Sequence, residues 1–301
     1  MDRAQLNIGL LGLGAVGQHY GDHLLEAFGA LLVFDRDPAA LDRARDVGAL
    51  AAESAEALGA ACDVVVVSLP NPDAVRDALA GTRGLLQNVR QEAVIVDTST
   101  VSPDTSREMY VLARHHGAHY IDAPVSGGEP FQGGEDGARA GTLTFMVGGD
   151  EEAYARAAPV MDVLGAHRFH LGPAGSGSTV KLISNLCSGI YVQVVAEAFA
   201  LGAACGFDVD RLVEVFEFTD AKCYMMTDYV LPRLRRGTLE PGFSVELQLK
   251  DHRLAAELGD AHAVPLPINA VAARLWEQMC AHGEAGRDIS AAIPFACNVA
   301  G

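Results

Sequence analysis

Two sets of residues in this 301-residue chain have the types and spacing that chemistry needs. The first is Gly12-Leu13-Gly14-Ala15-Val16-Gly17, a G-x-G-x-x-G run that follows a β-type segment, Leu6–Leu11, and opens a helical one. Gly12 permits a tight turn, Gly14 lets the backbone approach a pyrophosphate, and Gly17 lets helix and strand pack closely. Free N–H groups and the helix dipole can then hold phosphates even on an acidic protein. Asp35 ends the next β-type segment, 18 residues beyond Gly17, where a carboxylate accepts hydrogen bonds from an adenosine ribose. That arrangement is a dinucleotide fingerprint and favours NAD. Arg36 could stack on adenine or meet a 2′-phosphate, so NADP stays possible, although Asp35 and Asp37 flank Arg36 and would repel that phosphate.

The second set is Lys181 and Asn185, four residues apart and therefore on one face of a helix. Most lysines are solvated surface residues. This one precedes a nearly uncharged run, which places it at the mouth of a buried helix, and a partly desolvated lysine is a candidate general acid or base. Asn185 could hydrogen-bond a substrate hydroxyl and Lys181 together. A surface lysine ahead of a helix is the competing reading of the same residues.

The elements that must position these groups follow a simple order. Leu6–Leu11, Leu31–Asp35, Asp63–Ser68, Ala93–Asp97 and Ala118–Asp122 read as buried strands. Helical stretches at Ala15–Phe28, Pro38–Val47, Pro72–Ala80 and Pro103–His116 separate them, which implies parallel pairing with right-handed crossovers. Thr142–Val147, a helix over Glu151–Leu164 and a short strand near His167–His170 follow. After Gly172 only helical periodicity remains, near 178–205, 208–218, 221–235, 243–262 and 266–283. The expected fold is α/β: a Rossmann-type doubly wound sheet over 1–172, followed by an all-α domain over 173–301 that carries substrate and dimerisation surfaces. Ligands sit at the carboxyl ends of such strands. Ser68-Leu69-Pro70-Asn71 and Asp97–Pro103 are therefore expected on the cofactor crevice, though both also read as loops with helix N-caps, Ser102 before Pro103 above all.

Bulk composition narrows the partners. The chain is 50% hydrophobic and 20% charged with a formal net charge of -17, which argues against nucleic acid and anionic membrane surfaces. Six cysteines without C-x-x-C pairing read as reduced thiols of a cytoplasmic protein. His115, His116 and His119 lack partners at metal-ligand spacing and read as solvated imidazoles, so no metal is expected. Residues 8–16 resemble a signal-peptide core without a cleavage site. Residues 182–206 approach transmembrane apolarity, but Asn185, Gln193 and Glu197 interrupt them, and a buried helix is expected.

These motifs, taken in order, resemble the β-hydroxyacid dehydrogenase family, 3-hydroxyisobutyrate dehydrogenase-like members in particular. The match runs through Gly12–Gly17, Leu69-Pro70, Asp97–Pro103, Asp122-Ala-Pro-Val-Ser-Gly-Gly128, Gly141–Gly149, Gly175–Asn185 and Lys250-Asp-His-Arg-Leu-Ala255. The resemblance implies that Lys181 is the catalytic lysine and Asn185 its polar helper. It implies that Ser126, Gly127 and Gly128 hold a substrate carboxylate, that Thr100 and Lys250 contact the cofactor, and that Asp251 orients its surroundings. The implied reaction is NAD(P)-dependent hydride transfer between nicotinamide and a small 3-hydroxyacid or its semialdehyde. The helical half cannot bury all its apolar surface alone, so a homodimer or homotetramer is expected.

The chain departs from that pattern in two places. The stretch between Ser126-Gly-Gly and Gly141-Thr-Leu is longer than usual and echoes itself, Ser-Gly-Gly-Glu129 against Gln-Gly-Gly-Glu135. Glu129, Phe131, Glu135 and Asp136 then form either an enlarged pocket rim or a solvated loop. His252 stands where the family is usually apolar and either reaches the active site or lies on the helix surface. Cys223, Tyr224 and Met225 line the pocket or belong to the core. An imine reductase of the same fold and a non-catalytic dinucleotide-binding protein are the alternatives; retention of Lys181 argues against the first.

Overall fold

A computed structural model describes residues 6–127, 134–237 and 239–299. They form two compact units, one running to Lys181 and the other from Leu182.

The first unit is built on Val64–Val67 (β4), four β-branched residues buried on both faces, as the middle of a parallel sheet requires. Ile8–Leu11 (β1) and Val94–Asp97 (β5) flank it, with Leu32–Phe34 (β2), Leu50–Ala51 (β3) and His119–Asp122 (β6) outside them, in the parallel order β3-β2-β1-β4-β5-β6. The order reverses between β1 and β4, which is the switch point where open α/β sheets bind ligands. Register fixes what lies there. Leu11 pairs with Phe34 and Val67, Val67 with Asp97, and Asp97 with Asp122, so the residues after these strands share one edge.

Gly17–Phe28 (α1), Pro38–Asp46 (α2), Ala55–Ala61 (α3), Pro72–Ala80 (α4) and Pro103–His115 (α5) cover both faces. Leu10, Val33, Val66 and Val96 pack on one side with Tyr20 and Leu24. Leu11, Val65, Val67 and Ile95 pack on the other with Val75, Leu79 and Met109. Side chains of Asp37, Asn71 and Ser102 cap α2, α4 and α5 ahead of a proline at the first helical position. A second sheet joins Val125–Ser126 (β7), Leu143–Val147 (β8) and Gly165–His170 (β9), with Gly134–Ala140 (α6) between β7 and β8 and Glu151–Leu164 (α7) between β8 and β9. Strands β3 and β7 have two residues each and had no sequence expectation.

The second unit is helical among the described residues. Ser176–Ala204 (α8) is 29 residues long and begins in the first unit, close to the expected boundary at 172/173. Val209–Phe216 (α9), Leu231–Arg236 (α10), Val245–Ala261 (α11), Pro267–Ala281 (α12) and Ala292–Val299 (α13) follow around Trp276, Phe199, Val192 and Val230. A helix expected over 221–235 is instead a π-helical turn, Met225–Val230, leading into α10. Pro232 is the cause we assign: its ring collides with the carbonyl four residues back, and a wider turn relieves that. Helix α13 was not expected.

By length and composition α8 could cross a membrane. It is buried on one face only. Leu182, Val192, Val195, Ala196 and Phe199 point into the protein, while Val180, Ile183, Tyr191, Val194 and Leu201 face solvent, Leu201 at 68% exposure.

Candidate active site

The glycine run leaves β1 as a sharp turn. Gly12 has φ +97°, and a Cβ there would lie 2.2 Å from the Ser68 carbonyl oxygen; at Gly17 it would lie 2.1 Å from the Gly12 carbonyl oxygen. Both glycines are required by packing. Gly14 differs: a Cβ would meet nothing within 4 Å. Packing therefore does not demand glycine at 14, and a ligand lying against the backbone would. Among the described residues no acceptor faces the N–H groups of Gly14, Ala15 and Val16. They open α1, and their donors with the helix dipole suit a pyrophosphate.

Asp35 ends β2 beside this turn. Its carboxylate accepts from the Leu13 N–H at 2.6 Å and from the Asp37 N–H at 2.8 Å, which fixes its orientation and leaves lone pairs for ribose hydroxyls. Leu13 thus directs its N–H to Asp35 and not to phosphate. Arg36 lies in the open, 3.4 Å from Asp77 of α4. Leu69 and Pro70 follow β4, with the Leu69 N–H bound to Ser99 Oγ at 2.9 Å. Thr100 is half-buried after β5. The residues of this edge therefore fit a dinucleotide.

Beneath the edge lies a buried polar cluster that the strand pattern did not reveal. Asp97 Oδ1 accepts from the Ser99 N–H at 2.9 Å and Oδ2 from the Tyr120 hydroxyl at 2.8 Å. Burial raises the Asp97 carboxyl above the ordinary range despite these donors. Asp122 is 1% exposed. Its Oδ1 accepts from the Gly175 N–H at 2.7 Å and its Oδ2 from the Ser178 N–H at 2.8 Å. Burial pushes its carboxyl up to about 6, against the pull of the two N–H donors.

Lys181 is buried, at 8% exposure, three residues after Ser178 on α8. Ser126 ends β7 and Gly127 follows it, both half-buried; Gly128, with Glu129 and Phe131, lies outside the described residues. The remainder of the long stretch is helix α6, not an open loop. Its Glu135 pairs with Arg139 at 3.1 Å and approaches His19 Nε2 of α1 at 3.6 Å. His23 Nε2 lies 3.1 Å from the Ala138 and Arg139 carbonyl oxygens; two acceptors require that this nitrogen carry the proton.

In the helical unit Asn185 is 6% exposed, and its Nδ2 donates to Asp251 Oδ2 at 2.5 Å. Lys250 Nζ lies 3.0 Å from Asp251 Oδ1. Gln248 donates to the Asn185 carbonyl oxygen at 3.1 Å. His252 is fully buried, which corrects the helix-surface reading. Its Nδ1 faces Asn269 Oδ1 at 2.6 Å while Asn269 Nδ2 donates to the His252 carbonyl oxygen at 3.0 Å, so Nδ1 is the donor and Nε2 holds a lone pair. Burial lowers the His252 pKa from its ordinary value. Nε2 fills a notch at Gly189 of α8, where a Cβ would lie 2.2 Å from it. Met225 is buried in the helical core, with Cys223 and Tyr224 packed against it. All six cysteines are free. No group of three His, Cys, Asp or Glu suits a metal among the described residues.

Sequence reasoning assigned no role to Asp122 or Gln248. Asp122 stood inside a quoted motif, but its partners lie 53 and 56 residues away.

Comparison with known proteins agrees with this architecture. Residues 7–172 match the family model described as the NAD-binding domain of 6-phosphogluconate dehydrogenase. Residues 175–296 match the model described as NAD-binding of NADP-dependent 3-hydroxyisobutyrate dehydrogenase. The chain is 36% identical to 2-(hydroxymethyl)glutarate dehydrogenase of Eubacterium barkeri, covering 96% of this chain and 94% of that one. It is 34% identical to the NAD-dependent L-serine dehydrogenase of Pseudomonas aeruginosa, over 94% and 95% of the two chains. The solved Mycobacterium tuberculosis 3-hydroxyisobutyrate dehydrogenase with L-serine superposes with a TM-score of 0.86 at 32% identity, covering 96% and 98%. The chain belongs to the β-hydroxyacid dehydrogenase family of NAD(P)-dependent oxidoreductases that act on CH–OH donors.

Proposed function

We propose that this enzyme interconverts a 2-substituted 3-hydroxypropanoate and its semialdehyde, with Lys181 as the proton-transfer group. The observation that carries the reading is a buried lysine on a helix whose first turn is fastened to the cofactor-bearing sheet edge. The relatives are named for L-serine, 3-hydroxyisobutyrate and 2-(hydroxymethyl)glutarate. These compounds share one core, a CH2OH on the carbon beside a carboxylate.

Bound nicotinamide supplies the hydride acceptor in oxidation and the donor in reduction. The Gly14–Val16 N–H groups would hold the pyrophosphate of the dinucleotide, Asp35 the adenosine ribose, and Leu69, Pro70, Thr100 and Lys250 its remaining surface. Ser126 and the N–H groups of Gly127 and Gly128 hold the substrate carboxylate. In the oxidation direction Lys181 Nζ takes the hydroxyl proton as the C–H bond breaks, and in reduction it returns the proton to the carbonyl oxygen. Asn185, one turn later and fixed by Asp251, holds the hydroxyl in line.

Asp35 supports NAD over NADP, and the pairing of Arg36 with Asp77 leaves its guanidinium facing a carboxylate. Free cysteines fit a cytoplasmic enzyme. The solvent-facing apolar stripe of α8 supports a homodimer, because a helix apolar on both faces needs cover on both. Light scattering at micromolar concentration is expected to give twice the chain mass.

The deciding assay measures NADH and NADPH formation over a panel of 3-hydroxypropanoates bearing methyl, amino or carboxyethyl groups at C2. Turnover of at least one, faster with NAD, is expected. Reduction of imines without oxidation of any hydroxyacid would overturn the reading.

A further inference from the structure

We propose that Asp122 is a positioning residue that sets the place of Lys181 by clamping the first turn of α8 to the strand leading into the substrate loop. The proposal rests on the reading of Lys181 given above. Asp122 is the last residue of β6, and Ser126 follows four residues later at the end of β7. The backbone of Asp122 is locked in both directions, its N–H to the Gly148 carbonyl oxygen at 3.0 Å and its own carbonyl oxygen to the Gly148 N–H at 2.8 Å. A side chain on so fixed a backbone has one use for its two oxygens, and both face the start of α8. Gly175 and Ser178 present N–H groups that no helical carbonyl can take, because the first turn of a helix has no residues behind it. The helix dipole adds to the attraction for a carboxylate.

The clamp is short and stiff. Lys181 stands three residues past Ser178, about 4.5 Å of helical rise. On the far side of the same turn Ser178 Oγ meets Ser106 Oγ of α5 at 2.8 Å. The turn is thus held from β6 and α5, and Lys181 inherits that position. Close packing at Gly177 reinforces it: a Cβ there would lie 2.1 Å from the Met146 carbonyl oxygen and 2.7 Å from that of Asp122.

Protonation would weaken the clamp. A carboxylic acid has one O–H donor, and that oxygen no longer accepts well from an N–H, so one of the two bonds is lost. Charged and titratable neighbours are Asp97 on β5, Tyr120 on β6 and Arg107 on α5, whose guanidinium lies 2.9 Å from where a Gly175 Cβ would sit. Asp97 opposes ionisation of Asp122, and the Gly175 and Ser178 N–H groups favour it. Burial outweighs those donors, so the change falls near 6.

The test compares wild type, Asp122→Asn and Lys181→Ala. Wild-type kcat at saturating substrate is expected to fall as pH drops through about 6. Asp122→Asn, which places an NH2 donor against an N–H donor, is expected to lower kcat roughly tenfold or more above pH 7 and to flatten that acid limb. Its dinucleotide Kd should stay within about twofold of wild type, because the Gly14–Val16 donors are untouched. An Asp122→Asn enzyme with wild-type kcat and the same acid limb overturns the proposal, provided Lys181→Ala is inactive; an active Lys181→Ala enzyme instead overturns the reading of Lys181. If Asp122→Asn does not fold, amide exchange of wild type over 175–180, corrected for intrinsic rates, decides. Protection lost between pH 7 and 5 supports the clamp, and unchanged protection refutes it.

Discussion

The nucleotide edge of the sheet unit and the Asp251 cluster of the helical unit hold their polar groups by different means. In the first, strand ends and helix starts bring backbone N–H groups together, and Asp35 and Asp122 each bind two of them. In the second, the cluster around Asp251 is joined chiefly side chain to side chain: Asn185 with Asp251, Lys250 with Asp251, His252 with Asn269. A site made of backbone tolerates many side chains but not an unwanted Cβ. A site made of side chains behaves in reverse. The two units should therefore fail under different substitutions.

Lys181→Ala carries the largest expected effect, a loss of roughly 10²–10⁴-fold in kcat with dinucleotide affinity retained. Stopped-flow or initial-rate kinetics with separate titration of NADH checks it. In the backbone site, Gly12→Ala should cost at least about 2 kcal/mol in denaturant unfolding, from positive φ and the collision with Ser68. Gly14→Ala should leave stability within about 0.5 kcal/mol yet weaken dinucleotide binding roughly tenfold. Equal damage from both would erase the distinction. In the side-chain site, Asp251→Ala leaves Asn185 Nδ2 without its acceptor and Lys250 without its carboxylate. It should cost about 2 kcal/mol and lower kcat more than it raises KM. An effect confined to KM would remove Asn185 from the reacting centre.

The remaining expected difference is in pH. Asp122, raised from 3.8 to about 6, makes the sheet unit most stable in acid and less so as pH climbs through 6, by about 3 kcal/mol. His252 is shifted downward, so its contribution is full above its ordinary value of 6.5 and is lost as pH falls below it. The two units thus respond to acid with opposite sign. Thermal melts at pH 5 and 7.5 should show His252→Leu losing the acid sensitivity and Asp122→Asn losing the alkaline penalty. Parallel shifts in both variants would refute the assignment.

What could be read from sequence follows the same division. Gly12–Gly17, Asp35 and the Lys181–Asn185 pair could be singled out because their spacing is local, and strands as apolar as Val64–Val67 announce themselves. Strand β7 has two residues and takes its identity from β8, so no local pattern marks it. Asp122 and His252 were not assigned because their partners lie on other elements. His252 illustrates the limit: the surface reading is wrong, since Asn269, 17 residues on, supplies a buried partner that no local pattern marks. Glu135 and Asp136 read as part of a pocket rim or a solvated loop, yet they lie in the first turn of α6, which His23 of α1 holds.

The length of α8 has a consequence for recombination. Both family models end or begin just before it, at 172 and 175, while the helix itself runs unbroken through Lys181 and Asn185. A hybrid spliced between 172 and 175 would transplant the lysine, its helper and the whole helical half as one cassette, but the foreign nucleotide module would have to supply its own counterpart of Asp122 to seat the first turn. A splice only nine residues later, at 181/182, where the compact units divide, would part Lys181 from Asn185 and graft two half-inheritances onto one rod.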